Sequence, residues 1–408
     1  MSTFTKIAWR NITRNQYRSS LTISAVAIGL ASLVFLKSFI DGADRQMVEN
    51  YTSLLTGSIQ IHRTGFQKNM GLEKSITEAS SIFASLKNIS GIKAAAPRIK
   101  DYALISSPES SAGILLYGID PAAEKKLTTI NQRLRRGRFL TKEDKDKIII
   151  GKDLSDQMKT DLGDKVVLMS QGADGSLAAS AYEICGILDA GVEDIDKNLA
   201  LITIEAARDL LVLDGKISEI AIAAGSLTDN DEIARSIKAK IDTNKYEVLT
   251  WKEISPMTYQ WIQFDQVFTG LILFIVLLVV AAGILNTILM SVLERTREFG
   301  IMLALGTKPQ QVTSMVAAES LMLSGIGIIF GAALGSGLVV LLGITGIDLS
   351  AISSALNSFY IGSVIYPRLN IADLCVYAGI VLLTSVLVSI FPAKKAAKLS
   401  PIEAIRHI

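Results

Sequence analysis

Thiols and imidazoles are nearly absent from this sequence: Cys185 and Cys375 are its only cysteines, and His62 and His407 its only histidines. Two cysteines in 408 residues exclude a disulfide scaffold. With Cys185 in a strand-like run and Cys375 in an apolar run, they are expected as two unlinked, buried thiols. The histidines stand far apart without ligand spacing around them, so no metal site is assigned. No Gly-x-x-x-x-Gly-Lys-Ser/Thr loop occurs, and the chain therefore carries no P-loop of its own. A basic excess is also lacking, because a net charge of +2 leaves no stripe for nucleic acid. No catalytic residue stands out, and the chain is not expected to be an enzyme.

Apolar residues are what the sequence has in quantity. They make up 50% of it, and the mean hydropathy is +0.39, more than a soluble core requires. About 20 mostly apolar residues cross ~30 Å of hydrocarbon, and four segments meet that length: residues 21–40, 267–292, 315–342 and 371–391. The first run continues to Phe39, too long for the apolar region of a cleaved signal peptide, and is expected to stay as a span.

Lys6, Arg10, Arg14 and Arg18 precede the first span. Arg295, Arg297 and Lys308 lie between the second and third, and Lys394, Lys395, Lys398 and Arg406 follow the fourth. The short loop 343–370 holds Arg368 alone. This asymmetry predicts both termini in the cytoplasm and residues 41–266 outside it. The expected fold class is therefore a membrane all-α protein of four transmembrane helices, with an α+β extracytoplasmic domain inserted between helices 1 and 2.

Residues 1–20 read as an amphipathic elbow helix, with Phe4, Ile7, Ala8 and Ile12 on one side and Trp9 near headgroup level. Met47, Tyr51, Leu54 and Leu55 continue a helical stripe beyond the first span. Ser255-Pro256 opens a matching one before the second, which predicts helical stalks at both ends of the domain. Inside it, strands are predicted at 58–62, 113–119, 148–151, 165–169, 182–188, 199–204, 217–223 and 247–249. Helices are predicted at 76–86, 205–213 and 230–242, with two subdomains as one arrangement. Gly325, Gly327, Gly331 and Gly335 form a small-residue ladder in the third span, read as helix packing.

Residues 293–314 make a charged exit from the second span followed by a short helix with apolar Phe299, Ile301, Met302, Leu303 and Leu305, stopped by Gly306 and Pro309. Such a helix needs either a partner groove or the membrane surface. Residues 392–408 form a basic tail. Phe35, Phe39, Phe264, Phe268 and Leu271 could line an apolar cleft for acyl chains if the first two spans pair, or could simply face lipid. Lys37 is expected to snorkel, and Glu319 to sit at an interface.

Glu294-Arg-Thr-Arg-Glu-Phe-Gly-Ile-Met-Leu-Ala-Leu-Gly306 and Pro392-Ala-Lys-Lys-Ala-Ala-Lys-Leu-Ser-Pro-Ile-Glu-Ala-Ile-Arg406 together resemble the signatures of the FtsX/MacB/LolCE superfamily of ABC transporter permeases. Gly118-Ile-Asp-Pro121, Gly137-Arg-Phe-Leu140 and Leu162-Gly-Asp-Lys-Val166 extend the resemblance into the inserted domain. It implies a MacB-type (type VII) permease acting by mechanotransmission. Segment 293–314 would be its coupling helix, and Glu298, Gly300, Leu303, Leu305 and Gly306 would dock a cytoplasmic ABC ATPase dimer.

MacB-type chains carry a fused ATPase. This chain begins close to its first span, so ATP and Mg are expected in a partner chain, with no cofactor here. A second permease copy or paralogue is implied as well. The layout is most similar to the lipoprotein-releasing LolC/LolE branch, which implies a location in the cell inner membrane, a lipoprotein or other lipidic client and a periplasmic carrier. The stretch 170–180 lacks the proline-bearing hook expected for carrier docking. MacB-like efflux of a small amphiphile or peptide and FtsX-like regulation of a cell-wall hydrolase are the alternatives.

Overall fold

The computed structural model describes residues 10, 12–14, 16–226, 229–357 and 359–397. Most of the elbow segment, the last residues of the tail and His407 lie outside the described residues. The chain divides into two compact units. The membrane unit contains residues 1–44, 262–348 and 364–408, and the sheet unit residues 45–261 and 349–363.

Among the described residues, four helices are long and apolar enough to cross a membrane: Gln16–Tyr51, Pro256–Glu294, Pro309–Thr345 and Ile371–Ala397. The first continues past the predicted span to Tyr51, followed by one turn of π-helix at Thr52–Thr56. The second begins at the predicted Pro256, with Ser255 Oγ 2.7 Å from Thr258 Oγ1. The unit boundary falls inside both helices.

Within the membrane unit the glycine ladder is a packing device, apart from one rung. A Cβ on Gly327 would come 2.7 Å from the Val26 Cβ, one on Gly331 2.7 Å from the Ala27 carbonyl oxygen, and one on Gly335 3.0 Å from the Ala31 Cα. Three rungs therefore let the third span approach the backbone of the first. Gly325 meets nothing within 4 Å and is not part of that face. The third and fourth spans are joined by buried serines: Ser320 Oγ lies 3.1 Å from Ser385 Oγ, which also bonds Ser324.

The sheet unit holds ten strands in one sheet: β1 Ile59–Arg63, β2 Ile92–Ser106, β3 Ser111–Ile119, β4 Leu134–Gly137, β5 Lys147–Gly151, β6 Lys165–Gln171, β7 Leu177–Leu188, β8 Leu199–Thr203, β9 Glu219–Ala224 and β10 Tyr246–Thr250. Six of them close a ring, β2-β3-β8-β5-β7-β6 and back to β2. An arm of β9, β1 and β10 extends from β2, and β4 extends from β7. The expected subdomains thus share a single sheet through β2.

Period-2 alternation builds the core. Ile114 and Leu116 of β3, Ile148 and Ile150 of β5, Val166 and Leu168 of β6, and Ala200 and Ile202 of β8 are buried in one cluster. The intervening Tyr117, Ile119, Ile149 and Leu201 belong to another, with Leu54 and Leu55. Helices Ala79–Leu86, Ile204–Leu211 and Asn230–Lys238 add Ile82, Leu210 and Ile233 to the first. Cys185 is half-buried, and burial pushes its thiol up to about 11. Cys375 is exposed, not buried as expected, because it points away from its neighbouring spans.

On the second face of the arm lies a fully buried ionic network. Arg98 donates through Nε and Nη2 to Glu124 at 2.9 and 2.6 Å and through Nη1 to Glu219 at 3.1 Å. His62 Nε2 lies 3.3 Å from the other Glu219 oxygen, and Lys100 sits over the Tyr117 ring. Burial alone would raise the Glu219 carboxyl. The hydrogen bond with His62 and the charges of Lys100 and Arg98 outweigh it and pull that carboxyl down to about 2.

The family-like motifs in this unit are turns and caps. Asp120 accepts from the amides of Ala122 and Ala123 and caps the helix Pro121–Leu127, with proline at its first position. Gly137 has a φ of +82°, and a Cβ there would lie 2.2 Å from the Cys185 carbonyl oxygen. Arg138 grips Asp144 with two bonds of 2.6 and 2.7 Å. The stretch 170–180 is a tight hairpin in which Gln171 pairs with Leu177 and the Gly172 amide donates to the Ser176 carbonyl at 2.8 Å.

Candidate functional site

The second span ends at Glu294, and the chain turns at Arg295 into a helix of two and a half turns, Thr296–Ala304. Its end is fixed by the sequence. Gly306 adopts a φ of +90° and donates to the Leu303 carbonyl, while the Thr307 amide reaches the Met302 carbonyl, both at 3.0 Å. This is a Schellman stop, which needs a residue free to enter left-handed space. Pro309 then begins the third span at its first helical position.

One face of the short helix is anchored. Phe299 is 1% exposed and packs with Val312, Met315, Ala393 and Ala396. Gly300 is buried, and Met302 and Leu303 are partly buried against the same cluster. The opposite face is open: Leu305 is 82% exposed, and Ile301, Glu298 and Gly306 are exposed too. The five residues assigned to docking therefore divide. Glu298, Leu305 and Gly306 face outward, whereas Gly300 is buried and Leu303 packs partly inward, because a helix this short can present only one stripe.

A charged cluster that the sequence does not display holds the helix in place. Glu319 of the third span, 5% exposed, accepts from Arg18 Nη2 and from Arg295 Nη1, each at 3.0 Å. Arg295 Nε also donates to Glu298 at 2.8 Å, and its guanidinium lies 5.1 Å from the centre of the Phe299 ring. Arg18 is within 3.5 Å of Glu294. Glu319 thus clamps the first span, the third span and the root of the short helix. It is buried and doubly paired. In the sequence Arg18 and Arg295 stand out only as topological charges, because their partner is 301 and 24 residues away.

The phenylalanines assigned to an acyl cleft form two stacked pairs, each along its own helix. Phe35 and Phe39 lie 6.3 Å apart and half-buried, and Phe264 and Phe268 lie 6.4 Å apart and exposed, as is Leu271. Lys37 pairs with Asp41 one turn along. Among the described residues no cluster of His, Cys, Asp and Glu could hold a metal ion.

Spanning helices with a sheet unit inserted between the first two, and a capped helix between the second and third, define a multi-pass membrane protein of the four-span permease class. Comparison gives the family. The model for a MacB-like periplasmic core domain matches residues 19–240, and the model for an FtsX-like permease C-terminal region matches residues 270–401. The chain belongs to this MacB/FtsX family of ABC transporter permeases.

It is 22% identical over 97% of its length to the lipoprotein-releasing system transmembrane protein LolC of Neisseria meningitidis serogroup B, covering 96% of that protein. It is 23% identical over 98% of its length to the macrolide export ATP-binding/permease protein MacB of Hyphomonas neptunium, of which it spans 60%. An uncharacterised ABC transporter permease of Methanocaldococcus jannaschii is 24% identical, with 98% of this chain and 96% of that protein covered.

Proposed function

We propose that this chain is the permease subunit of an ABC transporter that works by mechanotransmission, coupling ATP hydrolysis in a separate ATPase dimer to extraction of lipoproteins from the inner membrane. ATP and Mg belong to that partner. The termini and the short helix face the cytoplasm, and the sheet unit lies outside. The reading is carried by the helix Thr296–Ala304, which exposes an apolar, glycine-stopped end at Leu305 while Glu319 and Arg295 fix its root.

A partner pressing on that end acts on a clamped lever. Two helices, Gln16–Tyr51 and Pro256–Glu294, are continuous across the unit boundary, so a displacement at one end has an unbroken hydrogen-bonded path to the other. The full-length likeness to LolC favours a lipoprotein client, handed to a periplasmic carrier and bound beside a second permease copy or paralogue.

The test is reconstitution of the full-length chain with its copurifying ATPase in proteoliposomes holding an acylated protein. ATP should release that protein to a soluble acceptor, and unchanged release on ATP addition sinks the reading. Leu305→Asp, at an exposed position, should leave folding intact and strip the ATPase from the complex, since docking would bury an unpaired carboxylate. Normal copurification of this variant would remove the short helix from the interface.

A further inference from the structure

The sheet unit contains a cavity of about 710 Å³ that the transport reading does not use, within the ~300–1,000 Å³ that suits a drug-sized ligand. Its walls come from the helix end bearing Met47, the turn of helix Glu193–Asn198, the residues Met257–Trp261, and Phe359 and Tyr360 of the segment between the third and fourth spans.

The aromatic wall is held by contacts among its own residues. Trp261 and Phe359 stack with ring centres 5.0 Å apart and planes 20° from parallel. Tyr51 meets Tyr360 edge to face at 5.2 Å, and Asn50 Nδ2 donates to the Tyr360 carbonyl at 2.8 Å. Tyr360 is held at a φ of +59°, a conformation that costs a non-glycine residue energy and persists only when its surroundings impose it.

The charge at this wall is negative. Glu193 is engaged by Lys197 one turn along. Asp194 accepts a hydrogen bond from Asn198 at 2.8 Å, and among the described residues no ion pair is made to it. Asp194 stands close enough to Tyr360 to act on its phenol, which burial first, then Tyr51 and Asp194, push upward. π-Faces next to a carboxylate lacking a cation attract organic cations, and the methionines offer an adaptable apolar floor.

We propose that this cavity binds an amphiphilic organic cation, its charge between Asp194 and the Trp261, Phe359 and Tyr360 rings and its apolar body against Met47 and Met257. Binding needs neither ATP nor a lipoprotein, so the site stands or falls separately from the transport reading.

Tetraphenylphosphonium and tetraphenylborate, nearly the same shape with opposite charge, are titrated into the full-length protein in nanodiscs of zwitterionic lipid, with empty discs subtracted. The phosphonium should bind saturably at one site and about tenfold or more tighter than the borate. Asp194→Asn, at an exposed carboxylate, should weaken phosphonium binding about tenfold, strengthen borate binding and so narrow the gap between the two ions, and keep the melting temperature. Trp261→Ala should weaken both probes. Equal affinity for the two ions, an Asp194→Asn variant that binds as the parent does, or no saturable signal above empty discs each overturns the proposal. Should Trp261→Ala not fold, the Asp194→Asn comparison decides alone.

Discussion

Each unit buries a cluster of charged side chains, and the clusters differ in what surrounds them. In the sheet unit, Arg98, Glu219 and His62 stand on β2, β9 and β1, adjacent strands already joined by ladder hydrogen bonds in which Arg98 and His62 both pair with Glu219. Removing the charges would leave those strands in register. In the membrane unit, Arg18, Glu319 and Arg295 come from separate segments, and Glu298 and Glu294 at the margin are half exposed. There the ion pairs, beside the packing of Phe299, tie the short helix to its neighbours. A cluster inside a ladder fixes one structure; a cluster between separate helices can be broken and remade.

Four perturbations sharpen this contrast. Arg98→Met should have the largest effect, because it strands the buried Glu124 without a cation and leaves Glu219 with Lys100 and His62 alone: about 3–5 kcal/mol of stability lost, visible as a collapse of the melting temperature or of membrane yield. Glu319→Gln should lose less, about 1.5–3 kcal/mol for weakened charge-assisted bonds. Its more telling effect should be on coupling, with the partner ATPase still bound but its hydrolysis no longer driving release. A melting temperature as low as that of Arg98→Met, with normal coupling, would erase the distinction.

The third perturbation is pH. The Glu219 carboxyl is held at about 2 against an ordinary 4.5. The stability it contributes is therefore complete above pH 4.5 and lost as pH falls toward 2. Melting of the sheet unit, followed by circular dichroism of the full-length protein, should decline across that window, and Glu219→Gln should flatten the decline. The smallest effect is expected from Glu298→Gln, whose pair with Arg295 is half exposed: about 0–1 kcal/mol, with any change in ATPase affinity read by copurification.

Legibility in the sequence followed the same division. The four spans could be read because a membrane needs a long apolar run and nothing else in the chain resembles one. Eight strands of the sheet were visible through their β-branched runs. The longest, β2, was missed because one of its faces buries Arg98 and Lys100, while Lys93, Pro97 and Asp101 interrupt the apolar alternation of Ile99, Ala103 and Ile105 on the other. The helices Lys152–Met158 and Glu193–Asn198 are too short to show a helical period. The short helix was found from its apolar residues and its Gly306 stop, but not the Glu319 clamp, since Arg18 is 301 residues from its partner. The cavity walls likewise join residues from four stretches of chain whose only common property is being brought together.

The chain enters the sheet at Ile59 and leaves it at Thr250, and these two residues face each other at the same end of the β1–β10 ladder. Both tethers therefore leave by one seam. A tug shared equally by the two slides neither strand past the other and puts no load on the five pairs between them. A tug that spreads the tethers loads the bond from the Trp251 amide to the Ser58 carbonyl first, then the Ile59–Thr250 pair and the next, as a zipper opens tooth by tooth. The β1–β10 seam thus bears a shared pull and yields to prying.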